Sequence, residues 1–225
     1  LQEIQGSHLL VAAGRAPNTD GLDLDKAGIE TNKKGIVVDE HLRSTNKRIF
    51  AIGDIAGGPQ FTHIAGYHAG IIIRIICFKM FWAKVDYTAL PWVTYTDPEL
   101  AQVGLTEKDA REQYGDDNIR VAAWEFGEND RAIAERITNG HLKVITNKKG
   151  TILGASMVGA QAGELIGLWQ LAVTHGMKVK DVTGMIAPYP TLGEVSKRAA
   201  GAWYTPSLFS DKTRRIVGWL QKLPF

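Results

Sequence analysis

IFAIGDIAG (49–57) is an apolar run that stops on Gly-Asp. A short apolar segment bounded by turn residues reads as a buried strand. In open α/β sheets, ligands bind just beyond the carboxyl ends of the strands. Gly53 lets the backbone come close to a ligand, and the Asp54 carboxylate can accept hydrogen bonds from sugar-like hydroxyls. FTHIAGYHAG (61–70) follows and opens a helix, whose first N–H groups favour anionic atoms. Alone, Gly-Asp after a strand is more often a turn or a cap, so the surrounding sequence decides its meaning.

Before this segment, HLLVAA (8–13) reads as a buried strand and GRAPNTDG (14–21) as a loop. A short helix is expected over 22–28 and short strands over 35–38 and 49–52. A helix is expected over 62–82, with Thr62 as its cap. The stretch 64–82 is the most apolar in the chain, yet His68, Arg74 and Lys79 interrupt it. A membrane span wants about 20 apolar residues without such charges, so the expectation is a core helix with Cys77 buried on it.

The character changes over 85–91. Strand-like runs then occupy 92–96, 100–104, 119–126, 142–147 and 152–159, with helical stretches at 106–114 and 161–175. NKKG (147–150) reads as a hairpin turn, and Asn129 or Asp130 as a helix cap. Residues 180–202 read as a loop and then a helix. Runs of strands with segregated helices argue for an α+β domain. Three parts are expected: residues 1–85, 86–205, and a tail over 206–225.

The totals exclude several functions. The formal net charge is +2, which gives no electrostatic case for nucleic acid. One cysteine excludes an internal disulfide, a Cys-x-x-Cys pair and a thiolate zinc site. The six histidines lack metal-binding spacing, so no metal is expected; His141 and His175 read as surface or core-edge residues. No secretory signal opens the sequence, and the expected location is cytoplasmic. DKTRRIVGWLQK (211–222) carries four basic residues and one acidic, with Ile216, Val217, Trp219 and Leu220 on one helical face. Docking of this helix on its own domain is preferred over contact with an anionic membrane.

The order LLVAAGRAPNT, RIFAIGDIAG, FTHIAGYHAG, WVTYTDPELAQVGLTEKDA, HLKVITNKKGTILGASMVGAQAGELI and APYPTLGEVSKRAA resembles the pyridine nucleotide–disulfide oxidoreductases. Lipoamide dehydrogenase, glutathione reductase and mercuric reductase belong to that family. The resemblance covers roughly residues 8–202. It implies an α+β interface (dimerisation) domain with an antiparallel sheet and helices, preceded by the C-terminal remnant of an α/β FAD/NAD-binding domain. It implies FAD and NAD(P) as cofactors of the parent protein, and a two-fold homodimer paired through 86–205. Asp54 matches the aspartate that binds the flavin's ribityl chain, and Gly53 the residue that lets the backbone pass. Thr62, His63, Ile64 and Ala65 match the helix start under the flavin's pyrimidine end. Gly14, Arg15 and Pro17 match a mostly structural crossover.

The family chemistry also needs two Gly-x-Gly-x-x-Gly loops and a redox cysteine pair, which these 225 residues do not contain. The isolated chain is therefore expected neither to hold FAD tightly nor to transfer hydride. In disulfide-reducing members the C-terminal loop reads His-Pro-Thr-x-x-Glu. The loop here is YPTLGE (189–194), with Glu194 in register and Tyr189 in the place of the catalytic His. With a reference pKa of about 10, a tyrosine is a poor proton shuttle at neutral pH, though it can donate a hydrogen bond. Mercuric reductases also carry tyrosine there, but with a terminal cysteine pair that this sequence lacks. Tyr189 is expected to contact substrate; the competing reading is an interface aromatic with a satisfied hydroxyl. A rival reading of the whole chain is a non-catalytic homodimerisation module.

Overall fold

A computed structural model describes residues 3–223. The chain divides into two compact units, Leu1–Val85 and Asp86–Phe225.

The first unit has little regular structure before its helix. A two-residue hairpin pairs β1 (Thr31–Asn32) with β2 (Gly35–Ile36). β2 lies hard against the 3-10 turn Gly53–Ala56: a Cβ on Gly35 would sit 2.2 Å from the Ile55 carbonyl oxygen. With its φ of 130°, position 35 takes only glycine. Helix α1 (Thr62–Phe78) buries one stripe, Ile64, His68, Ile71 and Ile75, at the four- and three-residue spacing of a single helix face. Leu42, Ile71, Ile75 and Ala83 form a small core beside it.

Several expectations for this unit are corrected. Residues 8–13 are exposed and form no strand, because an apolar run becomes a strand only where a neighbour completes its ladder, and none of the described residues does. Residues 22–28 make tight turns with Asp23 and Gly28 at positive φ, not a helix. Of 49–52, only Phe50 bridges Arg43, with Ala51 N–H donating to the Leu42 carbonyl. Val38 bridges Ser44 instead of extending β2. Helix α1 stops at Phe78, not at 82, because Lys79 turns left-handed and Met80 N–H closes onto the Arg74 carbonyl. Phe61, not Thr62, occupies its N-cap, without a side-chain bond. Cys77 is exposed, since it lies about 200° around the helix from Ile75.

The second unit is an antiparallel five-stranded sheet. Its strands are β3 (Pro91–Thr94), β4 (Glu99–Gly104), β5 (Ile119–Glu125), β6 (His141–Asn147) and β7 (Ile152–Gly159), in the spatial order β3-β4-β7-β6-β5. Cross-strand rows run Ala101–Met157–Leu142 and Val103–Ala155–Val144. All six side chains are buried in one core, on the face where period-two alternation places them. On that side the core takes Phe126 and buried residues of α5 (Gly167–Thr174), α6 (Val179–Thr183) and α7 (Glu194–Ala202). Trp169 is fully buried and its indole N–H donates to Ser196 Oγ at 3.1 Å. A smaller cluster joins Ala110 of α2 (Glu107–Tyr114) to Ile119 and Ile145.

The turn after β6 follows the Asn-Lys-Lys-Gly reading. Asn147 Oδ1 accepts from the N–H groups of Lys149 and Thr151, and Gly150 N–H donates to the Asn147 carbonyl at 3.0 Å. The stretch 161–175 breaks into α4 (Ala162–Leu165) and α5, and residues 180–183 of the expected loop belong to helix α6. Short α3 (Asp130–Glu135) is capped by Asn129, whose Oδ1 accepts from Ala132 N–H at 3.0 Å.

The tail forms α8 (Thr205–Leu208) and α9 (Asp211–Leu220). Expected docking of the tail helix is not observed: no residue of α9 is buried. Its attachment is polar and basal, with Ser210 Oγ and Thr213 Oγ1 both donating to the Ser207 carbonyl.

Candidate functional site

In the first unit, the expected ligand residues line an open cleft of about 600 Å³, bounded by Arg15, Gly53, Asp54, Gln60, Thr62 and Ala65 among others. Gly53 has a φ of 69°, and a Cβ there would press within 3.1 Å of the Ala65 Cβ. The backbone thus passes α1 where a side chain could not. Asp54 projects into the cleft half-exposed, with Arg15 3.6 Å from its Oδ2. The Arg15 guanidinium also donates to the Gln60 carbonyl at 2.8 Å, tying the two rims together.

Thr62 and His63 are exposed at the start of α1, and the His63 ring stacks on Phe61 at 5.1 Å. Ile64 is buried, and the N–H groups of Ile64 and Ala65 turn back onto the Phe61 carbonyl. The positive end of the helix is therefore presented at Thr62 and His63. These features fit a flavin's polyol chain and ring edge: an exposed carboxylate for hydroxyls, a backbone free of side chain, and a helix start for developing negative charge.

One contributor escaped the sequence reading. His68, fully buried on α1, accepts the Gly53 N–H on its Nδ1 at 3.0 Å. Burial lowers its pKa below the ordinary imidazole value. Neutral His68 thus holds the Gly53–Asp54 turn from beneath.

In the second unit, Tyr189 is 68% exposed, and its hydroxyl donates to Asp130 Oδ2 at 2.9 Å. That hydrogen bond to an anion, with the charge of Asp130, pushes the phenol pKa up. Asn129 donates its Nδ2 to the Thr191 carbonyl at 3.1 Å, and Thr191 Oγ1 donates to the Pro188 carbonyl at 2.8 Å. The start of α3 therefore clamps the loop at both Tyr189 and Thr191. Glu194 begins α7, and its Oε1 accepts from Arg198 Nε at 3.0 Å. In the loop 189–194, Glu194 is engaged by Arg198, and Asp130 is the carboxylate on Tyr189. No group of metal-ligating side chains occurs among the described residues.

The profile of the pyridine nucleotide-disulphide oxidoreductase dimerisation domain matches residues 90–200, and that of the pyridine nucleotide-disulphide oxidoreductases matches residues 1–69. The chain belongs to this family. Family members are FAD- and NAD(P)-dependent, and residues 90–200 of its second unit are their dimerisation domain. The chain is 39% identical over 199 residues to a dihydrolipoyl dehydrogenase of Bacillus subtilis (strain 168), covering 88% of this chain and 42% of that protein. It is 38% identical over 201 residues to a mercuric reductase of Staphylococcus aureus, covering 88% and 36%. Among solved structures, the Cu(II) complex of the HOCl-induced flavoprotein disulfide reductase RclA from Escherichia coli aligns with a TM-score of 0.78 and 30% identity, over 83% of this chain and 43% of that one. LpdA from Mycobacterium tuberculosis aligns with a TM-score of 0.80 and 26% identity, over 88% and 43%. The chain thus spans less than half the length of the relatives it matches. No helix among its described residues is long and apolar enough to cross a membrane.

Proposed function

We propose that these residues form the C-terminal part of an FAD-dependent NAD(P)H oxidoreductase that works as a homodimer, with Tyr189 in the place of the usual catalytic histidine. The observation that carries this reading is the Gly53–Asp54 turn, with its exposed carboxylate on an open cleft beside the start of α1. Bound FAD supplies two-electron chemistry between a nicotinamide and an acceptor. Asp54 would accept hydrogen bonds from its polyol hydroxyls, and Gly53 would let the backbone lie against it. Thr62 and His63, at the positive end of α1, would stabilise negative charge on the ring. Tyr189 keeps its proton at neutral pH, because Asp130 holds the hydroxyl as a donor. It would position a substrate by its phenol ring and not relay protons, so ordinary dithiol–disulfide exchange is not the favoured reaction.

Gly53 and Asp54 cover only part of a dinucleotide, so the isolated chain binds FAD weakly and is inactive by itself. A chimera would test this: residues 1–225 replace the matching segment of the Bacillus subtilis dihydrolipoyl dehydrogenase. The chimera is expected to retain flavin through gel filtration, and Asp54→Ala to lose it. A chain that purifies alone with a flavin spectrum sinks the weak-binding claim. A chimera that holds FAD equally well with Asp54→Ala sinks the site. A second reading, a non-catalytic homodimerisation module, draws on the exposed Tyr95, Leu171 and Ile186 of the dimerisation domain. It predicts a dimer by light scattering with no flavin dependence in any context.

A further inference from the structure

The helix α9 presents an apolar face to solvent. Ile216, Val217, Trp219 and Leu220 are all more than 40% exposed. At about 100° per residue, these four span an arc of roughly 160°. Arg214 falls just beyond one edge of that arc and Arg215 just beyond the other. Asp211 and Gly218 fall on the opposite pole. Lys212 lies within the apolar arc near the start of the helix, where its long stem can carry the ammonium to the edge. Lys222 follows the last turn.

The charge is concentrated here as well. With four cations and one anion, residues 211–222 carry +3 of a chain whose total is +2, so the rest sums to −1. An apolar arc that contains a tryptophan and is bordered on both sides by arginines matches a bilayer surface, where acyl chains meet anionic headgroups.

We propose that α9 lies in the plane of an anionic lipid bilayer, with Ile216, Val217, Trp219 and Leu220 inserted to the headgroup boundary and Arg214 and Arg215 on phosphates at either side. The hydrogen bonds of Ser210 and Thr213 to Ser207 tie the first turn of the helix to α8, and beyond that turn Ile216, Val217, Trp219 and Leu220 stay exposed.

The test is co-sedimentation of the full chain with phosphatidylcholine vesicles, with and without phosphatidylglycerol. Pelleting is expected only with phosphatidylglycerol, and it should fall as salt rises from about 0.1 M to about 0.5 M. Each cation near an anionic surface contributes a factor of about five, so Arg214→Ala with Arg215→Ala should weaken partitioning about 25-fold. Trp219→Glu should abolish it while leaving the far-ultraviolet circular dichroism unchanged, because every altered side chain is exposed. No pelleting with phosphatidylglycerol overturns the proposal, as does equal pelleting of the Trp219→Glu chain. If Trp219→Glu instead lowers the mass seen by light scattering and vesicles pull down nothing, the occupant of the face is a second copy, and the proposal again fails.

Discussion

His68 offers a direct measure of how the Gly53–Asp54 turn is held. Its buried Nδ1 accepts the Gly53 N–H at 3.0 Å. In His68→Leu that N–H loses its partner in a buried place, which costs about 1–3 kcal/mol. Local opening of the turn should then rise roughly 5- to 150-fold. His68→Asn places an acceptor at nearly the same reach and should recover part of the loss. The assay is amide hydrogen exchange at Gly53. The interaction also has a pH signature. Burial depresses the His68 pKa in the folded turn, so the opened turn binds a proton first. The stabilisation is therefore complete above the ordinary imidazole pKa of about 6.5 and is lost as pH falls below it. Protonation would also set an N–H donor against the Gly53 N–H. Exchange at Gly53 that is equally fast in wild type and His68→Leu would refute the reasoning. So would protection, corrected for intrinsic rate, that stays constant from about pH 7.5 to about pH 5.

Three further outcomes follow from the packing and the titrations. Trp169→Ala empties the middle of the sheet–helix core and should cost the dimerisation domain about 3–5 kcal/mol in urea unfolding; a loss below about 1 kcal/mol would contradict its place there. Tyr189→Phe should remove a late-titrating phenol from the ultraviolet titration, and Asp130→Asn should bring that phenol to lower pH, because Asp130 is what raises it; an unchanged titration in Asp130→Asn counts against the hydrogen bond. Cys77 should react fully with a thiol reagent in the native chain, since it is exposed; a thiol that reacts only in denaturant would show that it is covered.

What the sequence disclosed depended on where each signal's partners lie. The strand runs of the second unit were legible in composition, as in Leu142 and Val144 or Ala155 and Met157, but their antiparallel arrangement came from the family resemblance, since β4 pairs with β7 across more than 45 residues. The asparagine turn at 147 and the cap at 129 are local devices, and both were readable. Strands in the first unit were not, because HLLVAA has the composition of a strand but no ladder partner among the described residues. Cys77 was misread since the apolarity of IIIRIICFKMF (71–81) does not mark which face is buried. Asp54 could be found because IFAIGDIAG stands in an ordered series of motifs that resembles the family, although residues 49–52 form no strand and only Phe50 makes a bridge. Asp130 could not, because 59 residues separate it from Tyr189, and no short-range pattern announces such a pair.

The clamp on the loop 188–194 has a mechanical consequence. Asn129 spends one end of its amide on the first turn of α3 and the other on Thr191, while Asp130 beside it grips Tyr189. A helix of six residues is near the minimum that can persist, and it is held by that cap together with Ala132, its one residue buried in the core. Pulling the loop away therefore tugs on the cap, and the helix and the loop unravel as one cooperative piece. The loop is latched, and its release is a small folding transition, not a free swing.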